Sequence, residues 1–216
     1  MWVGFSADVR LVPEKTILTM RLVGGHPVLD LVNTVDARRG RWGPDLLAGY
    51  GDALLWAERV GLVGPAEVGA VTMKSNDRSA ADRALARIVA ARERLYEILL
   101  AEAEGRSPTG DDHAWLAELV RQAAACRTLS PDADGRFSWT WCDDMPDAIL
   151  HRVAFAAAEL LTNRNRRRIT VCAGLNCGWL FLDRSRAGRR RWCSEEGCGS
   201  HSRIRRFRSK SPSEIA

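Results

Sequence analysis

The chain has 216 residues, 46% of them apolar and 27% charged, and carries a formal net charge of +5. This composition excludes a disordered chain and supports one full hydrophobic core plus a small appended unit. Asp8, Arg10, Glu14 and Lys15 interrupt the start, which lacks the roughly 7–15-residue apolar stretch of an export signal. No run approaches the ~18 apolar residues of a membrane span, so the expectation is a cytoplasmic protein without a membrane partner.

In chain order, residues 16–24 (TILTMRLVG) read as a short strand closed by Gly24-Gly25, and VLDLVNTV after His26-Pro27 reads as helix or strand. Leu47, Leu54, Leu55 and Val60 suggest a helix within 46–63, and a helical fragment follows Pro65. The clearest helix spans 79–104, where Leu85, Ile88, Val89, Leu95, Tyr96, Leu99 and Leu100 recur at steps of three and four. Core packing is its default role, and it is also the candidate for part of a dimer face. Asp111 is placed to cap a further helix carrying Leu116, Leu119 and Val120. Phe137, Trp139 and Trp141 alternate after an Asp134-Gly135 turn, which predicts a β-hairpin. Pro146 suits the first turn of a last body helix with Ile149, Leu150, Val153, Leu160 and Leu161. Composition then changes abruptly at TNRNRRRITVC. This divides the chain into a mainly helical body, 1–163, and a basic unit, 164–216.

Charge follows the same division. Between Arg164 and Lys210 stand 14 Lys and Arg against three acids, a segment at +11, whereas the remaining 18 cations and 24 acids put the rest at −6. Such asymmetry suggests a body with a polyanion-binding end.

Six cysteines lie at 126, 142, 172, 177, 193 and 198. Cys172/Cys177 and Cys193/Cys198 form two pairs with four residues in each gap, and in a reducing compartment such clustering favours metal over disulfides. Four thiolates suit tetrahedral Zn²⁺ and leave no open position for catalysis. An iron–sulfur site and four unrelated thiols are the alternatives, and His201 could replace one cysteine as a ligand. A hairpin is expected between the pairs. Residues 179–183 would form one strand, 185–188 the turn and 190–193 the returning strand, with the metal at the open end. A unit of about 45 residues buries too little apolar surface to fold alone, so the metal decides whether it folds. Trp179, Phe181 and Trp192 either pack around that metal, at least two of them, or serve as stacking platforms for single strands. Cys126 and Cys142, without close partner pairs, read as buried structural cysteines.

A helix is expected after Cys198, with Ile204 and Phe207 turned toward the hairpin and Arg203, Arg205, Arg206 and Lys210 mostly opposite, flanked by Arg208. Arg184, Arg186, Arg189, Arg190 and Arg191 add cations from the loop. The guanidinium fork suits phosphate oxygens and guanine edges, so these ten residues are the candidate nucleic-acid contacts.

The run CGWLFLDRSRAGRRRWC followed by CG resembles the CGNR zinc-finger domain, and LDLVNT (29–34) with the helical body resembles the ABATE domain that precedes it. The resemblance implies a zinc-bound ββα-type module, zinc-ribbon or treble-clef-like, with Cys172, Cys177, Cys193 and Cys198 as ligands. It places Asp183, Arg184, Arg191 and Trp192 on the family's hairpin pattern. It implies a stress-induced transcription regulator or a zinc-ribbon-like RNA-binding protein. One departure stands out: the name-giving Cys-Gly-Asn-Arg is Cys198-Gly199-Ser200-His201 here, which loses a guanidinium fork.

The leading expectation is therefore a DNA-binding regulator whose body dimerises or senses a small-molecule effector. An RNA-binding accessory protein and a zinc-built protein-interaction module are the alternatives. No nucleophile elbow or phosphate-cradling Gly-rich loop supports an enzyme. Asp111-Asp112-His113 suits the acid-favouring start of a helix. His26 after Gly24-Gly25 is the body residue whose setting could mark a ligand pocket, although chain reversal explains the glycines equally well.

Overall fold

A computed structural model describes residues 15–39, 43–65, 67–68, 78–131, 133–141 and 147–209. The first helix, α1 (Pro27–Val32), is short but central: Val28, Leu29, Leu31 and Val32 are all fully buried. Its first turn is prepared by Pro27 and by His26, whose Nδ1 accepts from the Val28 N–H at 3.3 Å. The strand expected over 16–24 does not form. Thr16 and Thr19 hydrogen-bond one another in a turn, and Arg59 gathers the Ile17 and Met20 carbonyls.

Helix α2 (Tyr50–Arg59) starts later than the apolar pattern suggests. Leu46 and Leu47 are buried from an extended segment, and the Asp52 carboxylate closes the helix start on the Gly49 N–H at 2.9 Å. The fragment after Pro65 falls largely outside the described residues. Helix α3 (Arg78–Ala103) buries Ala84, Ile88, Ala91, Leu95 and Leu99 along one stripe and packs on α1 and α2. This stripe gives the helix its default role in core packing.

Helix α4 (Gly110–Ala125) is capped by Thr109 rather than Asp111. The Thr109 hydroxyl accepts from the Asp112 N–H, and the Asp112 carboxylate accepts from the Thr109 N–H at 3.2 Å. Strands β1 (Arg127–Pro131) and β2 (Phe137–Trp141) form the predicted hairpin in antiparallel register, Leu129 opposite Trp139, with Gly135 at φ +76° in the turn. Leu129, Phe137 and Trp139 are exposed there, while Trp141 meets Phe155 edge-on. Helix α5 (Ala148–Thr162) packs on α4, and Ala154, Ala156 and Ala157 are among its buried residues. Cys126 is half-buried at the end of α4, whereas Cys142 and Pro146 lie outside the described residues.

After α5 the chain forms β3 (Ile169–Val171) and β4 (Leu180–Leu182), a π-helical turn (Glu195–Gly199) and α6 (Ser200–Ser209). The two strands pair antiparallel, Thr170 opposite Phe181. The expected return strand at 190–193 is not a strand. Every alternate amide on the other edge of β4 is engaged by the body: the Leu180 N–H by Asn33 and the Leu182 N–H by the Gly24 carbonyl at 2.8 Å. With both edges occupied, β4 has no place for a third strand. Ile169, Leu180 and Leu182 thus belong to the same apolar core as α1, α3 and α5, although the composition changes at 163–168. The fold is a mainly α body with a small β-hairpin joined to a ββα module. Among the described residues no helix is long and apolar enough to cross a membrane.

Candidate metal centre and basic surface

The four cysteines come together from four places in the module. Cys172 follows β3, Cys177 precedes β4, Cys193 ends the loop after β4, and Cys198 sits in the π-helical turn. Their four Sγ atoms all lie within 4.8 Å of one another. Cys177–Cys193 and Cys193–Cys198 are each 3.7 Å apart, against about 3.8 Å for a tetrahedron with Zn–S bonds of about 2.3 Å. The donor set therefore fits one Zn²⁺. A multi-iron cluster would hold its cysteines farther apart.

Local chemistry supports the same ion. The Cys193 and Gly174 N–H groups donate to Cys172 Sγ at 3.2 and 3.4 Å, an arrangement that favours a thiolate. Hydrogen bonds from Cys177, Cys193 and Cys198 hold Cys172 well below the ordinary thiol range, while contact with Cys172 and burial push Cys177 up. A Cβ on Gly174 would lie 2.8 Å from Cys198 Sγ, so the turn between the first two cysteines requires glycine. Trp179, Phe181 and the cysteines form a compact second core, with Trp192 packed at its side. The aromatics are thus core around the metal, and Trp179 and Phe181 are buried rather than open to stacking.

Asp183 organises the loop that follows β4. Its carboxylate accepts from the Ser185 hydroxyl and N–H and from the Arg190 N–H at 2.9 Å; the Ser185 bonds first, opposed by burial, hold it below the ordinary carboxylate range. Arg190 stacks 4.4 Å over Phe181 and donates to the Trp192 and Cys193 carbonyls, so this guanidinium supports the metal loop. Arg184 donates to the Gly25 carbonyl at 2.7 Å, and Arg191 lies beside Trp192. Arg186 and Arg189 are exposed.

Helix α6 packs chiefly on the π-helical turn and buries none of its residues. Ile204 and Phe207 are 49% and 74% exposed, contrary to the expected contact with the module core. Among the described residues the helix packs on little beyond the π-helical turn, so its apolar pair stays open. Arg203 pairs with Glu195, whereas Arg205, Arg206 and Arg208 pair with no acid among the described residues. His201 is exposed on the first turn. Lys210 lies outside the described residues.

The cations also fail to form one surface. Asp183 bonds back to the Arg168 carbonyl, so the linker arginines sit at the far end of the strand pair from the metal. Four steps of extended chain, Trp179 to Asp183, span about 13 Å. One patch thus surrounds the linker and Arg184, and another follows α6.

The latch between body and module was not foreseen from the sequence. Asn33 is fully buried; its Nδ2 donates to the Leu180 carbonyl and its Oδ1 accepts from the Leu180 N–H, both at 2.9 Å. The side chain thereby imitates a neighbouring strand. The Trp179 indole N–H donates to the Val35 carbonyl at 2.7 Å, and the Tyr96 hydroxyl donates to the Gly178 carbonyl at 2.9 Å. The Arg38 and Arg39 N–H groups donate to the Cys177 and Asn176 carbonyls. Two polar residues, Asn33 and Thr34, ending an apolar run were the available signal. Thr34 accepts from Arg92, itself buried and bidentate on Asp45 at 2.7 Å.

Comparison with curated proteins gave no match. Family models match in two adjoining stretches: residues 25–164 match ABATE, described as "Putative stress-induced transcription regulator", and 168–211 match the CGNR zinc finger. Neither is an enzymatic family. Buried LDLVNT residues on one side and a four-thiol site spaced for zinc on the other are what such an architecture needs, and the chain belongs to the ABATE family with a C-terminal CGNR zinc finger.

Proposed function

We propose that this protein is a DNA-binding transcription regulator in which residues 1–163 form the body and 164–216 the nucleic-acid-binding end. Cys172, Cys177, Cys193 and Cys198 hold a structural Zn²⁺, which supplies folding energy to a unit that buries little surface of its own. Asp183 and Arg190 hold the metal loop, and the latch through Asn33 fixes its position on the body.

The observation that carries the reading is α6. It springs from the metal site, buries nothing, and presents Arg205, Arg206 and Arg208 with exposed Ile204 and Phe207. A helix of this kind has the width of the DNA major groove. Its arginines suit phosphates and guanine edges, and its apolar residues suit thymine methyls. The burial of Trp179 and Phe181 removes two of the three stacking platforms that single-stranded RNA would need, which favours duplex DNA. A module this small reads few base pairs, so the reading carries a homodimer spanning two half-sites.

Replacing Arg205 and Arg206 by Ala tests the assignment. The slope of log K against log salt should fall by about one for each phosphate that is no longer neutralised, with zinc content unchanged. An unchanged slope would remove α6 from the interface.

A further inference from the structure

The linker-side patch borders a cleft that the DNA reading does not use. It has a volume of about 690 Å³ and is walled by the turn before α1, the end of α5, the linker and the end of β4. That is the size of a small-molecule site, but its lining is polar, which argues for a charged ligand rather than an apolar one.

Its donors are held in place. Arg184 is anchored by the Gly25 carbonyl at 2.7 Å, and Gly25 adopts φ +78°, which favours glycine. Among the described residues no acid pairs with Arg184, so its other N–H groups can serve a ligand. Arg166 is tied to Glu102, its side chain is 15% exposed, and its buried Nε–H has no acceptor among the described residues. Arg167 is exposed and pairs with no acid among them. His26 accepts the Val28 N–H on Nδ1, so its proton resides on Nε2, which is a donor. Burial lowers the His26 pKa, against the opposing pull of Glu159, and the neighbouring Arg184 lowers it further. Against three guanidiniums the cleft lining holds one acid, Glu159.

We propose that this cleft binds an oxyanion of the phosphate class, with Arg167 and Arg184 as charge-assisted donors and His26 Nε2–H as the neutral one. Planar guanidinium forks match the oxygen geometry of phosphate, and Arg184 is already anchored at the cleft by Gly25. The walls come from the body, the linker and the zinc module together, so a bound anion ties the three. The site lies at the opposite end of the β3–β4 pair from α6 and stands whether or not α6 contacts DNA. The phosphate could belong to a small phosphorylated ligand or to a nucleic-acid backbone.

The test is heteronuclear NMR of the full-length, zinc-loaded protein, following the His26 ring signals during titration with inorganic phosphate and then pyrophosphate at constant ionic strength set with chloride. The expected result is a saturable shift that weakens about tenfold or more in Arg184→Gln and in Arg167→Gln. The Arg167 variant guards against a folding defect, because that side chain is exposed. Repeating the titration with duplex DNA present identifies the source: displacement assigns the site to backbone phosphate, and independent binding assigns it to a small ligand. No saturable shift beyond the chloride control, or equal affinity in both variants, would overturn the proposal.

Discussion

Substituting Ala for Asn33 removes the two hydrogen bonds that its side chain makes to Leu180 while leaving the Gly24–Leu182 bond, every zinc ligand and every arginine in place. Leu180 has no solvent exposure, so its N–H and carbonyl lose their partners in the interior. Each unsatisfied buried group costs about 1–3 kcal/mol, giving about 2–6 kcal/mol for the pair. A water entering the space left by the amide would recover part of this, which places the expected loss near 3 kcal/mol. That is a large share of the roughly 5–15 kcal/mol that stabilises an ordinary domain. Urea unfolding of the zinc-saturated protein measures the loss, and hydrogen exchange localises it. The Leu180 amide should lose protection on the order of a hundredfold. Asn33→Asp should be no better at neutral pH, because it keeps the acceptor but sets a carboxylate against the Leu180 carbonyl. A loss below about 0.5 kcal/mol, with the Leu180 amide still protected, would refute the latch.

Three further outcomes follow from the same geometry. Zinc should be present at one ion per chain and be lost in a Cys172→Ser, Cys193→Ser variant; full zinc content in that variant would exclude the four-thiol site. Gly174→Ala should weaken zinc affinity by about tenfold or more in chelator competition, because its Cβ meets Cys198 Sγ at 2.8 Å. An unaltered affinity would show that the turn yields. Burial raises the Asp30 pKa from 3.8 to about 6, opposed by the hydrogen bond from Gly24. The folded state therefore holds the proton more tightly than the unfolded one, so this group's contribution is full below about pH 4 and is lost as pH rises through about 6. The loss amounts to about 3 kcal/mol relative to Asp30→Asn. Parallel stability profiles for the two proteins between about pH 4 and 7 would refute that assignment.

What the sequence made legible follows from how local each signal is. Matching gaps between cysteine pairs, the periodicity of 79–104 and the Asp134-Gly135 turn are determined within a few residues, and each found its counterpart in α3, in the β1–β2 hairpin and in the thiol cluster. The strand partner of β4 was not local. Residues 190–193 are nearer in sequence, but Asn33 and Gly24, some 150 residues away, occupy the edge those residues would have needed. Thr16 to Gly24 has the β-branched character of a strand, yet Arg59 and the Thr16–Thr19 pair take its hydrogen-bonding groups into a turn. Ile204 and Phe207 show the limit of helical spacing. Two apolar residues on one face indicate a core only when something lies opposite, and among the described residues Ile204 and Phe207 stay exposed. Arg190 likewise looked like one more cation in a basic run, and only Phe181 and two carbonyls reveal its supporting role.

The central claim is that a zinc-folded module binds nucleic acid through an arginine-rich helix, and fluorescence anisotropy of the zinc-loaded protein against duplex DNA, single-stranded DNA and structured RNA across a salt series tests it most directly. The account predicts tightest binding to duplex DNA, steep salt dependence, and loss of binding when a chelator removes the metal. No binding to any of the three at low salt, or binding to duplex that survives chelation unchanged, would contradict it.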